Sequence, residues 1–193
     1  MFLLCCNLLL GGRMLYLKKY TQQDLWFKKQ MNEDENTMSY NAGYNIDACW
    51  YNNEKGTIIK SEAGYLSWLE NWNSSSDRGV WIIVRESDNA FIGEVCYHKE
   101  DTPSGYDLGI VIKHEYRGKG YAKIAMKLLL NEVFNAGIKR VNHSVPRQRE
   151  SAIKTDLGVG FKEVGSYFSE KFDGEEEVVV FEIKLKKGMF TIA

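Results

Sequence analysis

Gly109-Ile110-Val111-Ile112-Lys113-His114-Glu115-Tyr116-Arg117-Gly118-Lys119-Gly120-Tyr121-Ala122 is the stretch of this 193-residue chain on which the fold turns. It begins as an apolar, β-branched run and passes through a short basic turn with two glycines. It then enters a segment in which Tyr121, Ile124, Ala125, Leu128, Leu129 and Val133 share one helical face. Lys123, Lys127 and Asn131 take the other face, and Gly137 stands where a C-terminal cap belongs. The reading is strand, glycine turn, long helix. A helix start leaves backbone N–H groups unpaired and carries partial positive charge. Glycines let those groups approach an anion closely, and Arg117 and Lys119 add full charges. The phosphate-loop pattern G-x-x-x-x-G-K-[ST] is absent, because Gly120 follows Lys119. A dinucleotide fingerprint fails too, since Lys123 stands where a third glycine is needed.

Outward from this segment the periods alternate. Residues 14–20 read as a strand, and Thr21 with Asp24 three residues on caps a helix carrying Leu25, Trp26 and Met31. Residues 36–60 show no clear period and are rich in Asn and Tyr; a stretch this long without a period tends to be functional. Ser61 opens a second helix with Tyr65, Trp68, Leu69 and Trp72 at helical spacing, which reads as core packing. Val80–Val84 and Phe91–Tyr97 form a hairpin, and after a turn at 101–105 a third strand runs from Tyr106 to Ile112. Beyond the long helix come a strand at 138–145, a helix from Glu150 to about Leu157, and a hairpin of 161–168 with 177–185 about Asp173-Gly174. There is no internal repeat and no linker, so residues 14–193 read as one α/β domain on a mixed sheet.

Composition narrows the field. Hydrophobic residues are 44% and charged residues 26%, which excludes a disordered chain or a disulfide scaffold. The formal net charge of −1 argues against a nucleic-acid binder. Lys113 to Lys154 holds ten basic and three acidic residues, a local +7, so the rest of the chain carries −8. A basic segment in an acidic chain points to a small anionic ligand. Cys5, Cys6, Cys49 and Cys96 have no C-x-x-C spacing, and His98, His114 and His143 form no metal-ligand pattern, so no metal is expected. Reduced thiols and a cytoplasmic location are the default reading. Phe2–Leu10 is too short to span a bilayer, and no membrane association is expected. Gly11-Gly12-Arg13 can be encoded by a sequence resembling a bacterial ribosome-binding site. Residues 1–13 are therefore read as an upstream-translated apolar extension, with Met14 as the functional start.

Arg117-x-x-Gly120-x-Ala122, between a strand and an amphipathic helix, resembles the R/Q-x-x-G-x-G/A signature of the GCN5-related N-acetyltransferases. Glu150-Ser151-Ala152-Ile153-Lys154 and Gly160-Phe161-Lys162-Glu163-Val164-Gly165 resemble that family's fourth helix and the start of its sixth strand. The resemblance spans about Met14 to Lys186. It implies a roughly seven-stranded mixed sheet, splayed by a bulge in the fourth strand and flanked by four helices. It implies acetyl-CoA as co-substrate and no metal. The pyrophosphate would lie on the backbone N–H groups of Arg117, Gly118, Lys119, Gly120, Tyr121 and Ala122, and the pantetheine would run beside Ile110, Val111 and Ile112 and pair with their backbone; Arg149 joins the cofactor-binding set. The implied activity is transfer of acetyl to a primary amine, on a small molecule or a protein N-terminus. A homodimer is compatible with this reading.

An alkylamine has a pKa of about 10, so a base or a desolvating site must remove a proton before attack. The candidates are Asp107, which resembles a carboxylate position of relatives, and Glu94 on the neighbouring strand. Relatives carry Leu-Tyr in the fourth helix and use that tyrosine as acid to the thiolate. Here the pair is Thr155-Asp156, and Arg149 replaces a frequent Asn. Asp156 is thus a third catalytic candidate. The missing tyrosine motivates a rival reading, a non-catalytic acyl-CoA-binding or sensing domain, and a nucleotide-phosphate binder is a second rival. Tyr40 to Tyr51, with Asp47, are candidates for an acceptor pocket.

Overall fold

The computed structural model describes residues 14–101, 104–169 and 176–190. The extension at 1–13, Thr102-Pro103 within one turn and Asp173-Gly174 within another lie outside the described residues.

Seven strands form one sheet: β1 (Leu15–Lys19), β2 (Arg78–Arg85), β3 (Ala90–Lys99), β4 (Tyr106–Ile112), β5 (Arg140–Pro146), β6 (Lys162–Ser169) and β7 (Glu176–Lys184), in the order β1-β2-β3-β4-β5-β7-β6. All neighbours are antiparallel except β4 and β5, which are parallel. The helices are α1 (Leu25–Glu33), α2 (Glu35–Met38), α3 (Glu62–Asn73), α4 (Tyr121–Asn135) and α5 (Glu150–Val159). The resemblance implied four helices; the fifth, α2, is a single turn within the stretch that showed no period. It is capped by the Asp34 side chain, which accepts from the Asn36 N–H.

Side-chain alternation splits the core into two layers. Val80, Ile82 and Val84 of β2 pack with Phe27, Met31 and Leu69 under α1 and α3. Trp81 and Ile83 face the opposite layer with Leu108, Ile112, Val141 and Val145 under α4. Strand β2 is buried on both faces, which is why its sequence reads as an unbroken apolar run. Trp68 and Trp72 are partly buried against the α1/α3 layer, as their helical spacing predicts. Among the described residues no helix is long and apolar enough to cross a membrane.

The sheet splits in its middle. Strands β4 and β5 share a single residue pair, Asp107 with Asn142, and diverge beyond it. The expected bulge in β4 is absent: its register with β3 is continuous from Gly93↔Ile112 to Lys99↔Tyr106. Register shifts occur instead between β2 and β3 at Ile83/Val84, and between β6 and β7 at Glu163/Gly165. The splay therefore comes from loss of pairing between β4 and β5. Asn142 holds the join: its side chain donates to Phe181 O and accepts from the Ser104 N–H, at 3.1 and 2.9 Å.

Candidate functional site

Where β4 and β5 part, a cleft of about 850 Å³ opens, bounded by both strands, the start of α4 and the first turns of α5. Lys113 N donates to Ile92 O across β3. By the alternation of an antiparallel ladder, Val111 also turns its backbone to β3, and Ile110 and Ile112 turn theirs toward the gap. Ile112 O is already engaged there by Arg117 Nε at 3.0 Å. Ile110 thus turns its backbone N–H and C=O into the gap beyond the join. A chain lying in the gap can pair with it as an added strand would.

The mouth of the cleft is the start of α4. Gly118 and Gly120 have φ of +71° and +79°, a left-handed conformation that glycine adopts at little cost. Gly120 is the N-cap and makes no side-chain cap, so the first N–H groups of α4 remain available. Tyr121 contributes only backbone here; its side chain is buried and its hydroxyl accepts from Arg85. Lys119 sends its ammonium back to Glu115 O at 2.7 Å.

The two arginines assigned to the cofactor line the cleft and also hold the chain beside it. Arg117 donates to Ile112 O, Asn36 O and Thr37 O. Arg149 donates to Tyr40 O and stacks its guanidinium 5.3 Å from the Tyr40 ring centre. Both therefore pin residues 36–40 across the cleft, so that Ser39 and Tyr40 become part of its wall. Lys123 and Lys154 also line it; sequence reasoning counted them only as charge. Their signal was position: Lys123 lies in the first turn of α4, and Lys154 lies one turn into α5.

The carboxylate candidates fall in different places. Asp107 occupies the join and is half-buried, its Oδ1 accepting from Leu108 N at 2.9 Å. Glu94 is buried, and both its oxygens are taken: Tyr20 Oη donates to Oε2 at 2.9 Å and Lys28 Nζ to Oε1 at 2.6 Å. Burial, then the Glu94 charge, push the Tyr20 hydroxyl well above the usual tyrosine range. Glu94 pairs with Val111 and lies four positions along β3 from His98, which faces Asp107. At about 3.3 Å per residue the two positions are roughly 13 Å apart along the sheet. Asp156 is fully buried on α5, and His143 of β5 sends Nδ1 to its two oxygens at 3.0 and 2.9 Å. Sequence reasoning picked out Asp156 but not its histidine partner.

In the proposed acceptor segment, Tyr51 is core, Asp47 is exposed, and Trp50 lies under the Lys60 ammonium at 4.5 Å. Of that group only Tyr40 reaches the cleft. One histidine departs from expectation: Asp34, His114 and Glu115 bring ligand-type atoms within 4.8 Å of one another. Those groups already bond Thr37, Asp34 and Lys113 respectively, which accounts for their grouping without an ion.

A mixed sheet parted between two parallel strands, with a glycine-started helix at the mouth of the gap, defines the α/β architecture of this chain. A family model described as "Acetyltransferase (GNAT) family" matches residues 30–155. The chain belongs to the GNAT acetyltransferase family. Three solved structures share the fold. Spermidine N-acetyltransferase from Vibrio cholerae, in complex with CoA and spermine, superposes with a TM-score of 0.68 at 20% identity over 88% of this chain and 95% of that one. A GNAT-family acetyltransferase from Bacillus anthracis gives 0.67 at 15% identity, over 88% and 94%. The protein yncA from Salmonella typhimurium, with its cofactor acetyl-CoA, gives 0.66 at 13%, over 90% and 95%. No curated protein sequence matches this chain.

Proposed function

We propose that this chain moves the acetyl group of acetyl-CoA to a primary amine of a small molecule. The observation that carries the reading is the parted β4–β5 pair with the α4 start at its mouth. The gap accepts the pantetheine arm, with Ile110 offering backbone pairing. The α4 N–H groups, with Lys123 and Lys154, receive the pyrophosphate. The two ends of the ligand thereby fix its thioester near the join. Asp107 stands there and takes the proton of the attacking amine, directly or through water. Glu94 does not serve, because Lys28 and Tyr20 occupy it. The −8 carried outside the basic segment favours a cationic acceptor, and the Vibrio cholerae relative, bound to spermine, is consistent with an aliphatic polyamine.

The test has two arms. CoA at about a hundred times its dissociation constant should add about 2.7 kcal/mol of stability, and ATP or NAD at that concentration far less. Thiol release from acetyl-CoA should then depend on an added amine, in a panel of spermidine, spermine, amino acids, aminoglycosides and N-terminal peptides. CoA binding without turnover on any amine would favour the non-catalytic reading; no preference for CoA would remove the assignment altogether.

A further inference from the structure

Where the family resemblance implies a tyrosine this chain has Asp156, and the position is filled by a buried pair. His143 and Asp156 both line the cleft. The pair is tight: Nδ1 of His143 lies 3.0 and 2.9 Å from the carboxylate oxygens. Both carboxylate oxygens are within reach as acceptors, so the tautomer that satisfies the pair carries its proton on Nδ1 and holds the ring in one orientation. Nε2, on the opposite edge of the ring, is left as the working atom.

The position of His143 in the fold gives that atom a task. Asn142 makes the only β4–β5 pair, and His143 is the next residue, where the strands begin to part. Strand alternation groups Val141 and Val145 with the α4 layer, so His143 stands on that face of the sheet. Cys96 and Val111 belong to the α1/α3 layer, and Asp107 shares their parity. The join is thus flanked by a carboxylate on one face and an imidazole on the other. Acyl transfer needs this division: the amine attacks from one side, and the sulfur leaves on another.

We infer that His143, oriented by Asp156, is the acid that protonates the departing CoA sulfur, in place of the absent tyrosine. This rests on the acetyl-transfer reading above. In the balanced step, the amine nitrogen bonds the carbonyl carbon and its proton passes to Asp107. The C–S bond breaks, its electron pair stays on sulfur, and sulfur takes the Nε2 proton of the imidazolium, which is left as the neutral ring with its proton on Nδ1. Asp107 then gives its proton up to solvent and Nε2 takes one back, so both groups are restored with no net change in protons and no oxidant or further reactant is needed. The charged groups around the ring favour this role on balance. Burial alone would lower the His143 pKa, but the bond to Asp156 and the charges of Asp156 and Asp107 outweigh it and raise the value, against a smaller opposing effect of Arg149. Lys123 of α4, and Glu150 and Lys154 of α5, line the same cleft. Asp156 is a positioning residue, since it acts through the ring.

The experiment compares wild type, His143→Gln and Asp156→Asn for CoA affinity by calorimetry and for kcat against pH with the best amine of the panel. His143→Gln should keep CoA affinity within about threefold and lose at least ~10²-fold in kcat. An acetyl-CoA analogue with a difluorinated cysteamine arm, whose thiol is more acidic, should restore most of that loss. Asp156→Asn should move the alkaline limb of the kcat profile to lower pH, because the partner that raises the imidazole pKa is gone. Wild-type turnover with His143→Gln equally fast would overturn the inference while leaving the acetyl-transfer reading intact. So would a loss matched by lost CoA affinity, or one the acidic thiol does not rescue. Failure of wild type to bind CoA or to turn over would overturn both.

Discussion

Substitution of Gly120 by valine separates backbone strain from ligand contact, because α4 supplies its own control. Gly120 at the N-cap has φ of +79° and Gly137 just past the C-terminus has φ of +87°. A Cβ at Gly137 would meet nothing within 4 Å. A β-branched residue held at positive φ costs about 1–3 kcal/mol wherever it occurs. Both Gly120→Val and Gly137→Val should therefore lower the melting temperature, roughly 2–4 °C per kcal/mol for a chain of this size. Only the first places a branched side chain where backbone N–H groups receive phosphate. Loss of two such charge-assisted bonds, at about 1.5–3 kcal/mol each, weakens CoA by roughly 10²–10⁴-fold. Calorimetric titration of CoA into both variants, each shown folded by circular dichroism, gives the comparison. Equal CoA affinity in the two variants would refute the placement of the pyrophosphate at the α4 start.

Two further substitutions address the carboxylates. Asp107→Asn should lower kcat at neutral pH by ~10²–10⁴-fold with little change in the KM for acetyl-CoA, and the loss should shrink as pH rises, because the amine then arrives neutral; a flat, wild-type profile would eliminate Asp107 as base. Glu94→Gln leaves the Lys28 ammonium without its charge partner in a site where both side chains are about one-tenth exposed, and breaking such a pair from one side costs ~3–5 kcal/mol. Chemical denaturation should register that loss, whereas a stable Glu94→Gln variant with abolished turnover would return Glu94 to the chemistry.

The sequence by itself settled what short-range physics settles. The strand–glycine–helix passage from Gly109 to Ala122 was legible because caps, φ preferences and the 3.6-residue period act within a few residues. Thus Gly120 and Gly137 bracket α4 as read, and α5 runs on to Val159, two residues past its expected end, before Gly160 stops it at φ of +112°. Strand count and mixed class followed from the same local patterns. The helix α2 escaped because one turn held by Asp34 and by contacts from Arg117 carries no periodic signal.

Tertiary structure alone decided which side chains are free to work. The Arg117 side chain, read from sequence as charge beside a phosphate, donates to Thr37 O across 80 residues of chain. Glu94, a candidate base by its strand position, carries on its carboxylate the ammonium of Lys28, 66 residues away. His143 showed no pattern in the sequence, because its partner Asp156 lies on a different element and meets it only when α5 packs against β5. Each of these depends on which strands pair, in what register and on which face. A one-residue slip would turn every strand side chain to the other side of the sheet. Residue identity fixes what a group can do chemically; long-range register fixes what it touches, and so whether a carboxylate or an imidazole at the split in this sheet is occupied or available.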